Sequence, residues 1–438
     1  MVITCVCRYW RELARRTPRL WSYICIAPSL SSQEVGALLA EQLNLSKQCE
    51  IDVVINDDFL YGGLCSETLQ CTYMLLKEAH RIRSLHVRCP VDLSYKWNEP
   101  VLTAIRSHGY SSLQHLSLTA LRSTSLRGAI TKILEILRQS PHLVSLDVYD
   151  NHQQIADIID FNAGMYGSII TLPHLTTLRL WGTVLFCSTL QSQLCLPNVN
   201  KLSLHWSTRC FFNDLDKAGA VASLKGLQNQ SFLSPLTMRI VLDKQASYRI
   251  RTWSSLITDE DARKATDPTF EVIITDTAAS VVGEDCDILL QRALVDILNE
   301  FLFNEVKSLS VTTRSTFPLS TLLGTFSRAP SLQSLCLTSW SLEEVCNLLT
   351  PVSSAEGNIA ANANFPELTN LEFRSIDFGA GGVETNLTRT RATLRARSKA
   401  GSPIRGIVVR ECPGLTVEAI NSWVETIRDI DWSMDDAE

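Results

Sequence analysis

An α/β repeat solenoid is the fold class that this sequence predicts, and three observations predict it. The hexapeptide pattern L-x-x-L-x-L, with Val or Phe at some of its apolar places, begins at Leu113, Leu143, Leu175, Val199, Val306, Leu332 and Leu368. Proline stands two residues before five of those starts, at Pro141, Pro173, Pro197, Pro330 and Pro366. Between the copies run stretches with apolar residues at helical spacing, such as Ile130, Ile133, Leu134 and Leu137, or Leu290, Leu294, Ile297, Leu298 and Phe301.

Each observation has a physical meaning. The last residues of the hexapeptide alternate, so they form a short strand with one buried face, and the first Leu packs at its entrance. Proline stops the preceding helix and sets the turn without needing a partner for a backbone N–H. One such unit cannot bury its own apolar face, whereas stacked copies bury a continuous core. The pattern is that of leucine-rich repeats, and it predicts a horseshoe-like solenoid. The central residues are Leu85, Leu116, Leu146, Leu178, Leu202, Leu309, Leu335, Leu371 and Ile407. Steps between them run from about 24 to about 36 residues, which implies a full helix on the outer side of each long repeat. Met238 and Ile273 are expected to bridge the gap between Leu202 and Leu309.

Taken in order, the spacing predicts a helix from Gln33 to Leu45 capped by Ser32, then a strand over Ile51–Ile55 ended by Asn56, Asp57 and Asp58. A helix through Leu69, Met74, Leu75 and Leu76 leads to a strand over Ile82–Val87. Ser353 to Asn364 is a polar, small-residue insertion expected as a loop. Arg389, Arg391, Arg395, Arg397 and Lys399 form a basic helical stretch expected to be a solvated outer face, without the aromatic neighbours of a nucleic-acid patch. The last unit, Ile404–Val409, is followed by Thr416 as a helix cap, with Val417, Ile420, Val424 and Ile427 on one face. Trp423 and Trp432 would cover the open end, and the acidic tail from Asp435 would fray. The repeat domain is thus expected over 27–438, with 416–438 as its cap and tail.

The first 26 residues differ. Val6, Trp10, Leu13 and Ala14 share one helical face, Arg8, Arg11, Arg15 and Arg16 take the other side, and Thr17-Pro18 ends the helix. Leu20 to Ile26 reads as a strand. Cys7, Trp10 and Leu13 followed by P-x-L-W resemble the last helix and exit strand of an F-box, as in large fungal F-box proteins with leucine-rich repeats. The resemblance rests on Val6, Cys7, Trp10, Leu13, Ala14, Pro18, Leu20 and Trp21. The same segment also fits an amphipathic cap on the solenoid. The F-box resemblance implies that the chain is a non-catalytic substrate receptor, which holds an unidentified protein target and delivers it to an SCF-type cullin–RING ubiquitin ligase. It implies Cys7, Trp10, Leu13, Leu20 and Trp21 as the part of the adaptor contact that is present. Met1 falls inside what would be the final third of an F-box, without the L-P-x-E-I-L segment and the two earlier helices. Adaptor binding is therefore expected to be weakened or lost, or the chain to be an N-terminally shortened product. The alternative is a leucine-rich-repeat scaffold with no ubiquitin role.

Composition narrows the classes. A net charge of −6 argues against an electrostatic binder of nucleic acid or anionic lipid. Fourteen cysteines are scattered without a C-x-x-C, which fits reduced thiols in the cytosol or nucleus. No apolar run reaches the length of a membrane helix. N-x-S/T triplets at Asn44, Asn229 and Asn386 are read as chance. No phosphate-cradling glycine loop, H-E-x-x-H or G-x-S-x-G occurs, so no cofactor, metal or catalytic residue is assigned. All eight histidines lie between His80 and His205, but on or beside different strands at repeat-related phases. The residues between the buried positions of each strand point to the open, concave side. There stand His86, Arg88, His115, Asp147, Tyr149, Arg179, Trp181, Lys201 and His205, and later Thr312, Glu372, Arg374 and Arg410. Exposed Trp, Tyr and Arg are enriched in binding hot spots, so these residues are the candidate partner-binding face. Trp181 either anchors a partner or packs over the rim.

Overall fold

A computed structural model describes residues 7–26, 32–56, 70–71, 73–75, 77–88, 110–119, 126–150, 168–208, 214–225, 234–243, 247–263, 267–276, 285–313, 322, 325–326, 329–351, 364–380, 382–416, 420–421, 423, 427 and 429–433. Val6, Asp57 and Asp58, Leu69 and Leu76, most of the Ser353 insertion, Val417 and Val424, and the acidic tail lie outside the described residues. The fold is mixed α/β and divides into two compact units, residues 1–207 and 208–438.

The first unit opens with α1 (Arg8–Arg15), a 3-10 turn (Pro18–Trp21) and β1 (Tyr23–Ile26). It continues with α2 (Ser32–Ser46), β2 (Ile51–Asn56), β3 (Ile82–Arg88), β4 (His115–Thr119), α3 (Leu126–Arg138) and β5 (Ser145–Tyr149). Then follow β6 (Ile170–Thr171), β7 (Thr177–Gly182), α4 (Val184–Ser192), β8 (Leu194–Cys195) and β9 (Lys201–Thr208). Strands β1, β2, β3, β4, β5, β7 and β9 are neighbours in that order, and β6 pairs separately with β8. Every pairing within this sheet is parallel. The predicted phase holds residue for residue: Leu85, Leu116, Leu146, Leu178 and Leu202 face one another across the strands. All five are buried, as are the second leucines Leu118, Leu180 and Leu204. Each such side chain contributes about 1.5–3 kcal/mol when removed from water.

The prolines act at a definite turn position. The N–H of Leu143 donates to Ser140 O, that of Leu175 to Leu172 O, that of Leu332 to Ala329 O and that of Leu368 to Phe365 O, at 3.1–3.3 Å. Pro141, Pro173, Pro330 and Pro366 therefore occupy the second place of a four-residue turn, where their fixed φ is already correct. The residue after each first apolar position then donates to its counterpart one repeat back, as Thr176 N does to Val144 O and Thr369 N to Gln333 O. These bonds lock the register before each strand begins.

The second unit contains α5 (Asp214–Lys225), β10 (Thr237–Asp243), β11 (Ser247–Trp253), α6 (Asp259–Arg263), β12 (Phe270–Asp276), α7 (Asp285–Asn299), β13 (Ser308–Thr313) and β14 (Ser334–Thr338). It ends with α8 (Leu342–Leu349), β15 (Asn370–Arg374), α9 (Val383–Lys399), β16 (Gly406–Arg410) and β17 (Asp429–Ser433). Its strands lie in the order β12, β11, β10, β13, β14, β15, β16, β17. From β10 through β13 to β17 the pairing is parallel and Met238, Leu309, Leu335, Leu371, Ile407 and Ile430 are in register.

Several expectations are corrected here. The stretch bridging Leu202 and Leu309 is not two plain repeats, because β11 runs antiparallel to both β10 and β12. Met238 keeps the leucine phase, but Ile273 does not: Phe270, Val272 and Ile274 are the buried residues of β12, and Ile273 faces the other side. Trp432 lies in a final parallel strand, β17, and Trp423 is buried. Leu20 and Trp21 lie in the 3-10 turn, so only Tyr23–Ile26 is strand. Asp259 and Asp261 stand in the short helix α6. Within the basic stretch of α9, Arg397 is fully buried and donates to Leu349 O, Asn364 O and Phe365 O. Asn386 is also buried and donates to Phe378 O and Ala380 O. Helix α9 thus packs a polar seam, Asn386, Thr390, Thr393 and Arg397, in which the Asn386 amide, the Thr390 hydroxyl and the Arg397 Nη1 and Nη2 meet backbone carbonyls, and Thr390 also reaches the Cys346 sulfur of α8. That pattern has no apolar periodicity to betray it.

Candidate protein-binding face

The open face of the first unit is assembled by strand alternation alone. With the leucines turned inward, the residues between them form columns that run across the strands. One column is Ser84, His115, Ser145, Thr177 and Lys201. The next is His86, Ser117, Asp147, Arg179 and Ser203, and the third is Arg88, Thr119, Tyr149, Trp181 and His205. All nine predicted residues of this unit therefore stand on one sheet face.

The third column is an aromatic ladder. Tyr149 and Trp181 have ring centroids 4.5 Å apart, and Trp181 stacks on His205 at 3.8 Å with planes 24° apart. Trp181 is 39% exposed. One ring face stacks on His205, and Tyr149 packs against the indole at a tilt of 51°. The indole packs against both neighbours in the ladder and keeps part of its surface exposed. Such pairs are worth about 0.5–1.5 kcal/mol beyond area burial, and a rigid aromatic strip binds with little entropy to lose.

Beside it, Asp147 Oδ2 pairs with Arg179 Nη1 at 3.8 Å. Desolvation raises the Asp147 carboxyl above the usual range, and the charges of Arg179, His86 and His115 pull it partly back. His86 accepts or donates at Ser84 Oγ, 2.9 Å away. Arg88, Arg179 and Lys201 are exposed and Asp147 is the single carboxylate in the three columns. The face is locally basic on a chain whose net charge is negative.

In the second unit Glu372, Arg374 and Arg410 form one ionic cluster. Arg374 grips Glu372 Oε1 at 2.9 Å and Arg410 approaches the same oxygen at 3.9 Å. They are half-buried, and their guanidiniums are committed to a neighbouring carboxylate. Thr312 is not exposed as expected but buried, together with Ser310, Cys336 and Thr338 on the same face. The cause is the segment between β11 and β12. Ser255 O accepts from Thr237 Oγ1 at 3.0 Å and Ile257 N donates to that hydroxyl at 3.1 Å, both on β10. Arg263 Nη2 then reaches Thr338 Oγ1 at 3.4 Å and Cys336 Sγ at 3.8 Å on β14. Since β13 lies between β10 and β14, the run from Ile257 to Arg263 crosses over it. On the far side Glu271 takes Arg251 at 2.7 Å and Arg249 at 3.8 Å. Sequence reasoning missed these arginines, although the alternation Arg249, Arg251 beside Arg239 was a readable signal of a basic strand face.

The N-terminal segment places its five residues in two groups. Trp21 is 7% exposed and its Nε1 donates to Ala14 O at 2.7 Å, which ties the 3-10 turn to α1. Trp10 is 48% exposed, and Leu13 and Leu20 are also exposed, with Tyr9 and Tyr23 close to them in sequence and equally open. Cys7 is an exposed free thiol at the start of α1. The described residues include no helix long and apolar enough to cross a membrane. Comparison with protein-family models and with curated proteins finds no match to this chain.

Proposed function

We propose that the chain is a non-catalytic protein-binding subunit, a leucine-rich-repeat solenoid that serves as the substrate receptor of an SCF-type cullin–RING ubiquitin ligase. The observation that carries this reading is the division of labour at the N-terminus. Of the five residues that the F-box resemblance gives to the adaptor, Trp21 is buried and, with Ala14, holds the segment together, whereas Cys7, Trp10, Leu13 and Leu20 remain open. A mere structural cap would bury its tryptophan and leucines against the repeats. The target would sit on the open face of the first unit, across Tyr149, Trp181 and His205 with Arg179 beside them. The chain would then act by proximity, raising the effective concentration of the target near the loaded ubiquitin carrier.

The test is a pull-down of the full chain with the SCF adaptor. Capture that Trp10→Ala abolishes supports the reading, and failure of both this chain and one extended upstream by a whole F-box to capture the adaptor overturns it. A second reading, a scaffold without a ubiquitin role, is favoured by the aromatic ladder, which supports binding whatever α1 does. It expects target capture with no adaptor in the complex.

A further inference from the structure

We propose that residues 254–263 are a displaceable strap that gates the open face of the second unit. The proposal rests on how poorly the strap satisfies what it covers. Ser310 Oγ and Thr312 Oγ1 are buried beneath it with no hydrogen-bond partner. A desolvated hydroxyl without a partner raises the free energy of the closed arrangement, and water satisfies it when the strap lifts. The strap is held to β10 by the Thr237 hydroxyl, which donates to Ser255 O and accepts from Ile257 N. Helix α6 has five residues, far too short to be stable by itself. Ala262 is its buried apolar side chain, whereas Leu256 points outward, 59% exposed. On β14 Arg263 bonds the Thr338 hydroxyl and the Cys336 thiol. The covered surface is itself polar, made of Ser310, Thr312, Thr338 and the Cys336 thiol, so wetting it exposes little apolar area. The columns beyond the strap are different: Glu372 and Arg374 on β15 remain half-open. Strap opening is thus a local event, separable from unfolding of the strands below, and it converts a closed stretch of β13 and β14 into a continuation of the open β15–β16 face.

Cys336 reports on this directly, because its sulfur lies under the strap and bonds Arg263. Cys346 is the internal control: it is equally buried, but between α8 and α9 against Thr390. The experiment is N-ethylmaleimide modification of the full native chain, read per cysteine by peptide mass spectrometry. Cys336 should react faster than Cys346. Arg263→Ala should raise the Cys336 rate by about tenfold and leave Cys346 unchanged. Thr312→Val removes an unpaired hydroxyl at almost constant shape, so it should slow Cys336 by about fivefold. Equal rates at the two cysteines in all three proteins would overturn the proposal, as would a Thr312→Val chain in which Cys336 reacts faster.

Discussion

Arg397 sits where three backbone carbonyls converge, at the end of α8 and in the turn before β15. Burial pushes its guanidinium down to about 10, so it remains charged at pH 7 and the carbonyls hold that charge. Arg397→Met would leave the carbonyls of Leu349 and Asn364 short of a donor, at a cost on the order of 3 kcal/mol in urea unfolding. Lys399→Met, on the exposed end of the same helix, should stay within about 0.5 kcal/mol. Arg81 plays a similar part for α2, donating to Ser46 Oγ, Cys49 O and Leu43 O while Glu78 takes its Nε. Asp147 is the opposite case, a carboxylate whose charge the fold disfavours. Its folded pKa lies above the unfolded value, so the folded state binds the proton more tightly. Its contribution to stability is therefore present in acid, below the ordinary carboxylate value of about 3.9, and is lost as pH rises through the raised one. Asp147→Asn should raise the melting temperature at pH 7 and lose that advantage near pH 3. Thermal melts across that range check the sign; an advantage confined to acid would contradict it.

Each strand of the second unit from β14 to β16 is followed by one residue with left-handed backbone: Ser339 at φ 62°, Ser375 at φ 49° and Glu411 at φ 54°. The kink turns the chain out of the sheet, and the N–H of Ser339 and of Ser375 then donates to the last residue of the next strand. A side chain in that region costs about 1–2 kcal/mol, of which glycine's extra unfolded-state freedom returns roughly half. Ser339→Gly should accordingly stabilise the chain by about 0.5–1 kcal/mol, and Ser339→Val should destabilise it; denaturant midpoints decide. These kinks were not legible in the sequence, because serine and glutamate give no sign of positive φ. The strands were legible, because two leucines at fixed spacing and a proline at fixed offset all demand the same register. So was the first unit's face, which follows from alternation once the leucines are placed. What escaped is what depends on distant partners. Arg263 meets Cys336 and Thr338 more than seventy residues away, and α9 buries a polar seam that has no hydrophobic period. The β10–β11 hairpin escaped for a third reason: its alternating residues read equally well as parallel repeats.

Two separable surfaces distinguish a ligase receptor from a scaffold. Trp21→Ala removes a buried indole and its bond to Ala14 O, and should cost about 3–5 kcal/mol. Trp10→Ala removes a half-open side chain and should leave stability within about 0.5 kcal/mol. If α1 docks an adaptor, Trp10→Ala will release the adaptor while the chain still captures its target. Trp181→Ala, by contrast, opens the aromatic ladder between Tyr149 and His205 and should weaken target capture by about 30-fold or more, the loss typical of a central hot spot. In a reconstituted ubiquitylation assay both variants then lose transfer, Trp10→Ala with target bound and Trp181→Ala with adaptor bound. A scaffold gives another pattern: Trp181→Ala alone has an effect, and Trp10→Ala is silent in every measurement. The two indoles thus separate, within one folded chain, the delivery that the N-terminal segment would provide from the recognition that the repeats would provide.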